Sequence, residues 1–301
     1  MKRYAVSILL VLMFFVGLCV LLYPTVSDFV NRKTQSKALV SYERAVMELD
    51  EADFTELFAK AEEYNERIRG LSLPFVNCEQ IEGYADLLDV DGSGILGYIE
   101  IDKIGVSLPI YHGTDENVLN RAAGHLEGSS LPVGGTDTHA VISAHRGLPS
   151  AKLFTDLDKL ETGDTFTVTV LDALMVYRVE QILIVEPQDV GSLYIVPGED
   201  LCTLVTCTPY GVNTHRLLVR GRRADHIDRE PRLIVRNDAF LIDPMITAPV
   251  VAAPMLLVLF VILMIRYGGA RRGVNEGGKK EEGGREKLTG TNQSVSGGSI
   301  C

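Results

Sequence analysis

The chain predicts a mainly β domain, a barrel or sandwich, preceded by helices and flanked by two membrane-crossing helices. Three observations carry that prediction. Between Gly94 and Arg223, short apolar or alternating runs are separated by Gly, Pro and Asp turns. Ser27 to Leu71 places apolar residues at helical spacing among many charges. Two stretches of about twenty residues, Tyr4–Tyr23 and Ile246–Ile265, are apolar enough to span a bilayer as helices.

The first span is longer than a signal-peptide core, and no small-x-small cleavage site follows it, so a retained anchor is expected. In the helical region that follows, Phe29, Val30, Leu39, Val40, Val46, Leu49, Phe54, Leu57 and Phe58 form the apolar stripe, and Gly70 stops it. Leu71-Ser-Leu-Pro-Phe75 reads as an irregular connector. From Gly94 the period becomes that of strands, at Gly97–Ile101, Val106–Tyr111, Ala140–Ser143, Thr165–Val170, Met175–Val185 and a final pair within Leu201–Arg220. Helical patches are expected at Glu116–Arg121 and Ala151–Leu157. The second span contains Pro249 and Pro254, which membrane helices tolerate better than soluble ones. The Gly-, Lys-, Glu- and Ser-rich tail from Gly268 cannot bury a core.

Charge and cysteine content narrow the function. The net charge of −11, with no basic stripe, argues against nucleic acid as a partner. Arg266, Arg271, Arg272, Lys279, Lys280 and Arg285 follow the second span, against Arg229, Arg232 and Arg236 before it. The positive-inside tendency then puts both termini in the cytoplasm and the region between the spans outside. Cys78, Cys202 and Cys207 fall in that external region, an odd number that leaves at least one free thiol. Cys202 and Cys207 are five apart on one strand and face opposite sides. A Cys78–Cys202 disulfide is sterically possible but not expected.

The chemistry concentrates in Leu201–Arg220. An apolar run ends in Cys207, a Thr-Pro-Tyr-Gly turn follows, and a second run returns with Arg216 near its start. A thiolate is a strong nucleophile and is activated by a nearby cation or imidazolium. Taken alone, a cysteine ending an apolar strand is a buried small hydrophobe, and Cys202 is read that way. Position before the turn, with a guanidinium on the returning strand, singles out Cys207. Of six histidines, His145 is preferred as its partner because Ser143-Ala-His145-Arg-Gly147 also closes a strand. His215 is the rival, although parity puts it on the face opposite Arg216. Arg216 reads either as a surface charge or as a fixed cation for a developing oxyanion.

Thr203-Leu-Val-Thr-Cys207 resembles the signature of the sortases, the cysteine transpeptidases of Gram-positive cell surfaces. Gly97-Tyr-Ile-Glu-Ile, Leu108-Pro-Ile-Tyr-His-Gly113, Gly124–Gly135, Ala144-His-Arg-Gly-Leu-Pro149 and Thr206-Cys-Thr-Pro-Tyr-Gly211 extend the resemblance over about Gly94–Gly221, toward the pilus-assembling class C sortases. The resemblance implies an eight-stranded barrel and a catalytic set of His145, Cys207 and Arg216, with no metal or cofactor. It further implies attack by Cys207 on the Thr–Gly bond of an LPxTG-type sorting signal and transfer of the acyl group to a pilin lysine. An anchoring sortase that uses a cell-wall peptide amine is the alternative within that chemistry, and a non-catalytic surface module on the same barrel is the alternative outside it.

Class C sortases carry a lid with an Asp-Pro-aromatic motif, and the matching place here is Leu73-Pro74-Phe75. Leucine replaces the acid, so an apolar latch through Phe75 is expected instead of an ion pair to Arg216. The resulting organisation is residues 1–23 as the first span, 24–93 as a helical segment and lid-like linker, and 94–223 as the catalytic barrel. Residues 224–245 are a linker, 246–265 the second span and 266–301 a cytoplasmic tail. Asp89-Val-Asp91-Gly-Ser93 to Glu100 fits the spacing of an EF-hand calcium loop, but strand-like residues follow it, so a turn into the first strand is expected.

Overall fold

The structure, a computed structural model, describes residues 2–224 together with 254–258 and 260, with side chains from Val11 onward. The 224–245 linker (beyond residue 224) and the 266–301 tail lie outside the described residues. Residues 254–258 and 260 of the expected second span are helical, and the rest of that span is also outside.

Helix α1 (Lys2–Met47) runs without a break from the apolar N-terminal stretch, through Pro24, into the region expected to be a separate helix. It is long and apolar enough to cross a membrane, judged on length and composition. The helical stripe from Ser27 to Leu71 is split at residues 48–50. There Asp50 caps α2 (Glu51–Gly70): its side chain accepts from the Asp53 N–H, and the Asp53 carboxylate returns a bond to the Asp50 N–H. Asp50-x-x-Asp53 is therefore a helix start inside an otherwise continuous apolar period. Leu73 adopts a left-handed backbone (φ 57°), and the short helix α3 (Pro74–Asn77) begins with proline at its first position.

Eight strands form a closed barrel in the order β1-β2-β3-β4-β7-β8-β6-β5. They are β1 (Ile95–Ile101), β2 (Val106–His112), β3 (Ala123–His125), β4 (Thr138–Ser143), β5 (Thr165–Val170), β6 (Ala173–Val185), β7 (Asp200–Thr208) and β8 (His215–Arg223). The pairs β2–β3 and β4–β7 are parallel, and the other pairs are antiparallel. Closure leaves no free sheet edge. Strand β3 was not expected, because three residues containing Gly124 are too short to show a period. Ala151–Leu157 is not the expected helix. Leu153 has φ 40°, and the Lys152 and Phe154 N–H groups bond to Asp28 and His145 rather than to carbonyls four residues back. Helical residues Glu116–Leu119 form α4, capped by Asp115.

The main core fills the barrel with side chains such as Ile99, Ile110, Ile142, Phe154, Phe166, Leu204 and Val219, all fully buried. Helices α1 and α2 pack outside it. Tyr42 of α1 donates to the Leu96 carbonyl at 3.1 Å and accepts from the Leu171 N–H at 2.8 Å. Asn65 of α2 exchanges two hydrogen bonds with the Leu131 backbone. The Asp89–Ser93 segment is a bend in which the Ser93 N–H donates to Asp91, and a strand follows where an EF-hand needs its second helix.

Candidate active site

Alternation along β7 sorts its residues between two environments. Cys202 and Leu204 point into the barrel core, whereas Val205 belongs to a separate apolar cluster on the outer face with Val141, Leu193 and Leu218. Cys202 is fully buried, which pushes its thiol pKa well up, and it serves as core packing. Cys19, Cys78, Cys202 and Cys207 are all free.

Cross-strand register then brings the three candidate residues into one row. Cys207 pairs with Arg216 across the β7–β8 ladder, so both side chains leave the same, outer face. Ser143 pairs with Val205 in the parallel β4–β7 ladder. Two residues further on, the same register aligns His145 with Cys207. Two bonds extend the pairing past the last ladder rung: the Ala144 N–H donates to the Val205 carbonyl at 3.1 Å, and Thr206 Oγ1 donates to the Ala144 carbonyl at 2.8 Å. On the far side, Val185 of β6 pairs with Arg216. The row reads His145, just past the end of β4, then Cys207, Arg216 and Val185 on β7, β8 and β6.

Cys207 is half-buried. Arg216 donates to the Asn213 carbonyl at 3.3 Å and the His215 carbonyl at 3.2 Å, and it has no carboxylate partner among the described residues. Its backbone stands in register with that of Cys207 on the neighbouring strand. Partial burial lowers the His145 pKa, and the Glu116 carboxylate opposes that shift. His215 is exposed, pairs with Thr208 rather than Cys207, and takes a hydrogen bond with Thr214 at 2.9 Å. Parity separates it from the row.

Neighbouring residues to which the sequence assigned no role hold this end of the sheet. Arg146 is nearly buried; it donates to Thr208 Oγ1 at 3.2 Å and pairs with Asp158, tying the His145 loop to the residue after Cys207. Tyr210, in the turn after Cys207, lies against Gly147. A Cβ there would meet the ring at 2.9 Å on a backbone with φ +76°, so only glycine fits. The motif Ala144–Pro149 contained Arg146 and Gly147, but no local signal said what they touch.

Leu73 is exposed and forms no ion pair among the described residues, as expected from its side chain. Phe75 is half-buried, meets the Tyr194 ring at a tilt of 59° with centroids 5.5 Å apart, and packs on the outer-face cluster that contains Val205 and Leu218, one row from Cys207 and Arg216. Gly128 receives the Pro74–Phe75 segment closely: a Cβ on its left-handed backbone would lie 2.7 Å from the Pro74 carbonyl oxygen.

The sortase-domain family model matches residues 99–224, a stretch that includes His145, Cys207 and Arg216. Sortase C1 from Streptococcus agalactiae has a similar crystal structure, at 47% identity and a TM-score of 0.58, over 64% of this chain and all of that one. Sortase C1 of GBS Pilus Island 1 is 41% identical at a TM-score of 0.60, over 66% of this chain and 96% of that one. Sortase A of Streptococcus agalactiae serotype III (strain NEM316) is 31% identical over 130 residues, 42% of this chain and 52% of that protein. The chain spans about half the length of the curated relatives it matches. A closed eight-stranded barrel, a family match over most of its strands and full coverage of a related solved chain lead to one conclusion: this chain belongs to the sortase family, with class C sortases as its structural neighbours.

Proposed function

We propose that the protein is a membrane-anchored transpeptidase that polymerises pilins. The observation that carries this reading is the single row of His145, Cys207 and Arg216 at one end of β4, β7 and β8. The Cys207 thiolate attacks the carbonyl carbon of the Thr–Gly bond in an LPxTG-type signal. The C–N bond breaks, the departing amine takes a proton from His145, and a thioester remains on Cys207. A pilin lysine amine then attacks the thioester, gives a proton to His145 and releases the thiolate, forming an isopeptide bond. Arg216 stabilises the oxyanion of both tetrahedral intermediates with its planar donors.

The choice of a pilin lysine over a cell-wall amine is supported by the likeness to a sortase of a pilus island and by the lid-like segment. In the same reading α1 anchors the enzyme, the barrel faces outward, and Phe75 is an apolar latch over the substrate groove.

Incubating the full chain with an LPxTG-type peptide and a lysine-bearing pilin peptide tests this. The expected results are an acyl adduct on Cys207 by mass spectrometry, then a branched product, and neither with Cys207→Ala. Turnover by Cys207→Ala would remove the nucleophile assignment. A Cys207 adduct that resolves only onto a cell-wall-type amine would favour the anchoring alternative.

A further inference from the structure

The segment after β4 that carries His145 is tied to the helix that emerges from the apolar N-terminal stretch. Asp28 Oδ1 accepts from the Lys152 N–H at 2.9 Å, and Asn31 Nδ2 donates to the Ser150 carbonyl at 2.7 Å. The same side of α1 continues through Gln35, which donates to the Arg121 carbonyl at 2.7 Å, to the buried Tyr42. Positions 28, 31, 35 and 42 recur at helical spacing, so α1 docks by one polar stripe. Arg32 donates to Asp28 Oδ2 at 2.8 Å, which orients the carboxylate and leaves Oδ1 for the loop.

The loop transmits that docking to His145. Leu148 and Ala151 form a bridge that closes a tight turn. Lys152 is held further by the Ile104 carbonyl at 3.2 Å and by Asp156 at 2.9 Å. The Phe154 N–H donates to the His145 carbonyl at 3.1 Å, and the Gly147 N–H to Thr155 Oγ1 at 3.1 Å. Phe154 itself is fully buried and fixes the loop in the core. Among the described residues the His145 ring has no hydrogen-bond partner of its own. Its placement is delegated to the backbone of this loop.

We propose that Asp28, assisted by Asn31, is a positioning residue for catalysis. It fixes residues 147–155, and through them His145, so the membrane-proximal helix is part of the catalytic framework and not only a tether. The inference rests on the reading of His145 as the acid/base. Proton transfer is sensitive to sub-ångström misplacement, so a loosened loop lowers turnover before it lowers binding.

The test uses the full chain in detergent micelles, an LPxTG-type peptide with a lysine acceptor, and the variants Asp28→Ala, Asp28→Asn, Asn31→Ala and, as an exposed control on α1, Lys33→Ala. Asp28→Ala is expected to lower kcat roughly tenfold with KM within about twofold, because positioning acts on the chemical step. Asp28→Asn should recover most of the loss, since its amide oxygen still accepts from the Lys152 N–H. The rate of Cys207 alkylation should stay near wild type, because Cys207 sits on β7 and not on the tethered loop. Wild-type kcat in both Asp28→Ala and Asn31→Ala overturns the inference, as does Asp28→Asn as impaired as Asp28→Ala. If Asp28→Ala fails to fold, Asn31→Ala must show the kcat-selective loss, and its absence overturns the proposal. Full activity in His145→Ala would sink the acid/base reading itself, which is a separate outcome.

Discussion

Arg216 and His145 are individually ordinary side chains whose neighbours give them a role. A guanidinium in register with Cys207 presents a planar fork of donors on the face from which the thiol emerges. Arg216→Lys keeps the charge but loses the fork, and kcat/KM for peptide cleavage should fall by about 2–3 kcal/mol, roughly a hundredfold. Wild-type cleavage would make Arg216 a surface charge. Parity on β8 separates His215 from the row, so His215→Ala should retain substantial activity whereas His145→Ala should lose nearly all of it; the reverse order would transfer the acid/base role. The Glu116 carboxylate holds the His145 pKa up against desolvation. Glu116→Gln should lower that pKa further. The protonated imidazole is lost as pH rises through its pKa, so the high-pH limb of the acylation rate should move to lower pH, as a pH–rate profile would show.

At the level of elements, the segment of residues 73–77, proposed above as a lid, is held mainly by apolar contact. Phe75 is half-buried on Tyr194 and the Val205–Leu218 cluster, so its contribution is about half of a full phenylalanine burial, on the order of 1–1.5 kcal/mol. Phe75→Ala should therefore raise the rate of Cys207 alkylation by roughly tenfold. Gly128→Ala should act in the same direction, because its Cβ would displace the Pro74 carbonyl. Leu73→Asp should slow alkylation: aspartate tolerates the left-handed backbone at that position better than leucine and gives Arg216 a carboxylate within the lid. Alkylation rates indifferent to all three changes would make residues 73–77 a passive linker.

Across the whole molecule, buried histidines couple stability to pH. Burial lowers both His125 and His139 to about 4 from an ordinary value near 6.5. His125 is held between Tyr84 (2.8 Å) and the Ser130 carbonyl (2.8 Å), and His139 between the Tyr194 carbonyl (2.9 Å) and Thr203 (2.7 Å). Between pH 6.5 and 4 the unfolded chain binds protons that the folded barrel refuses. Their stability is therefore complete above pH 6.5 and is lost as pH falls toward 4, on the order of 3 kcal/mol for each histidine. The Tm of the folded chain should drop across that window. A Tm that is flat from pH 7 to 4 would show that these rings are not buried and neutral.

Legible in the chain alone were the strands long enough to show a period, the apolar N-terminal stretch, a leucine at position 73 and the chemistry that singles out Cys207, His145 and Arg216. These are local properties: alternation, length and a side chain at a strand end before a turn. Which neighbours those residues have came from the folded barrel. Parallel pairing of β4 with β7, across more than fifty residues of chain, is what sets His145 beside Cys207, and no short-range pattern encodes it. The same is true of β3, too short for a period, and of Ala151–Leu157, whose amides bond to His145 and Asp28 instead of forming a helix. Docking of α1 on the His145 loop also depends on partners more than a hundred residues away in the chain. Residue chemistry is written locally, whereas contacts between distant segments are settled by the packing that closes the barrel.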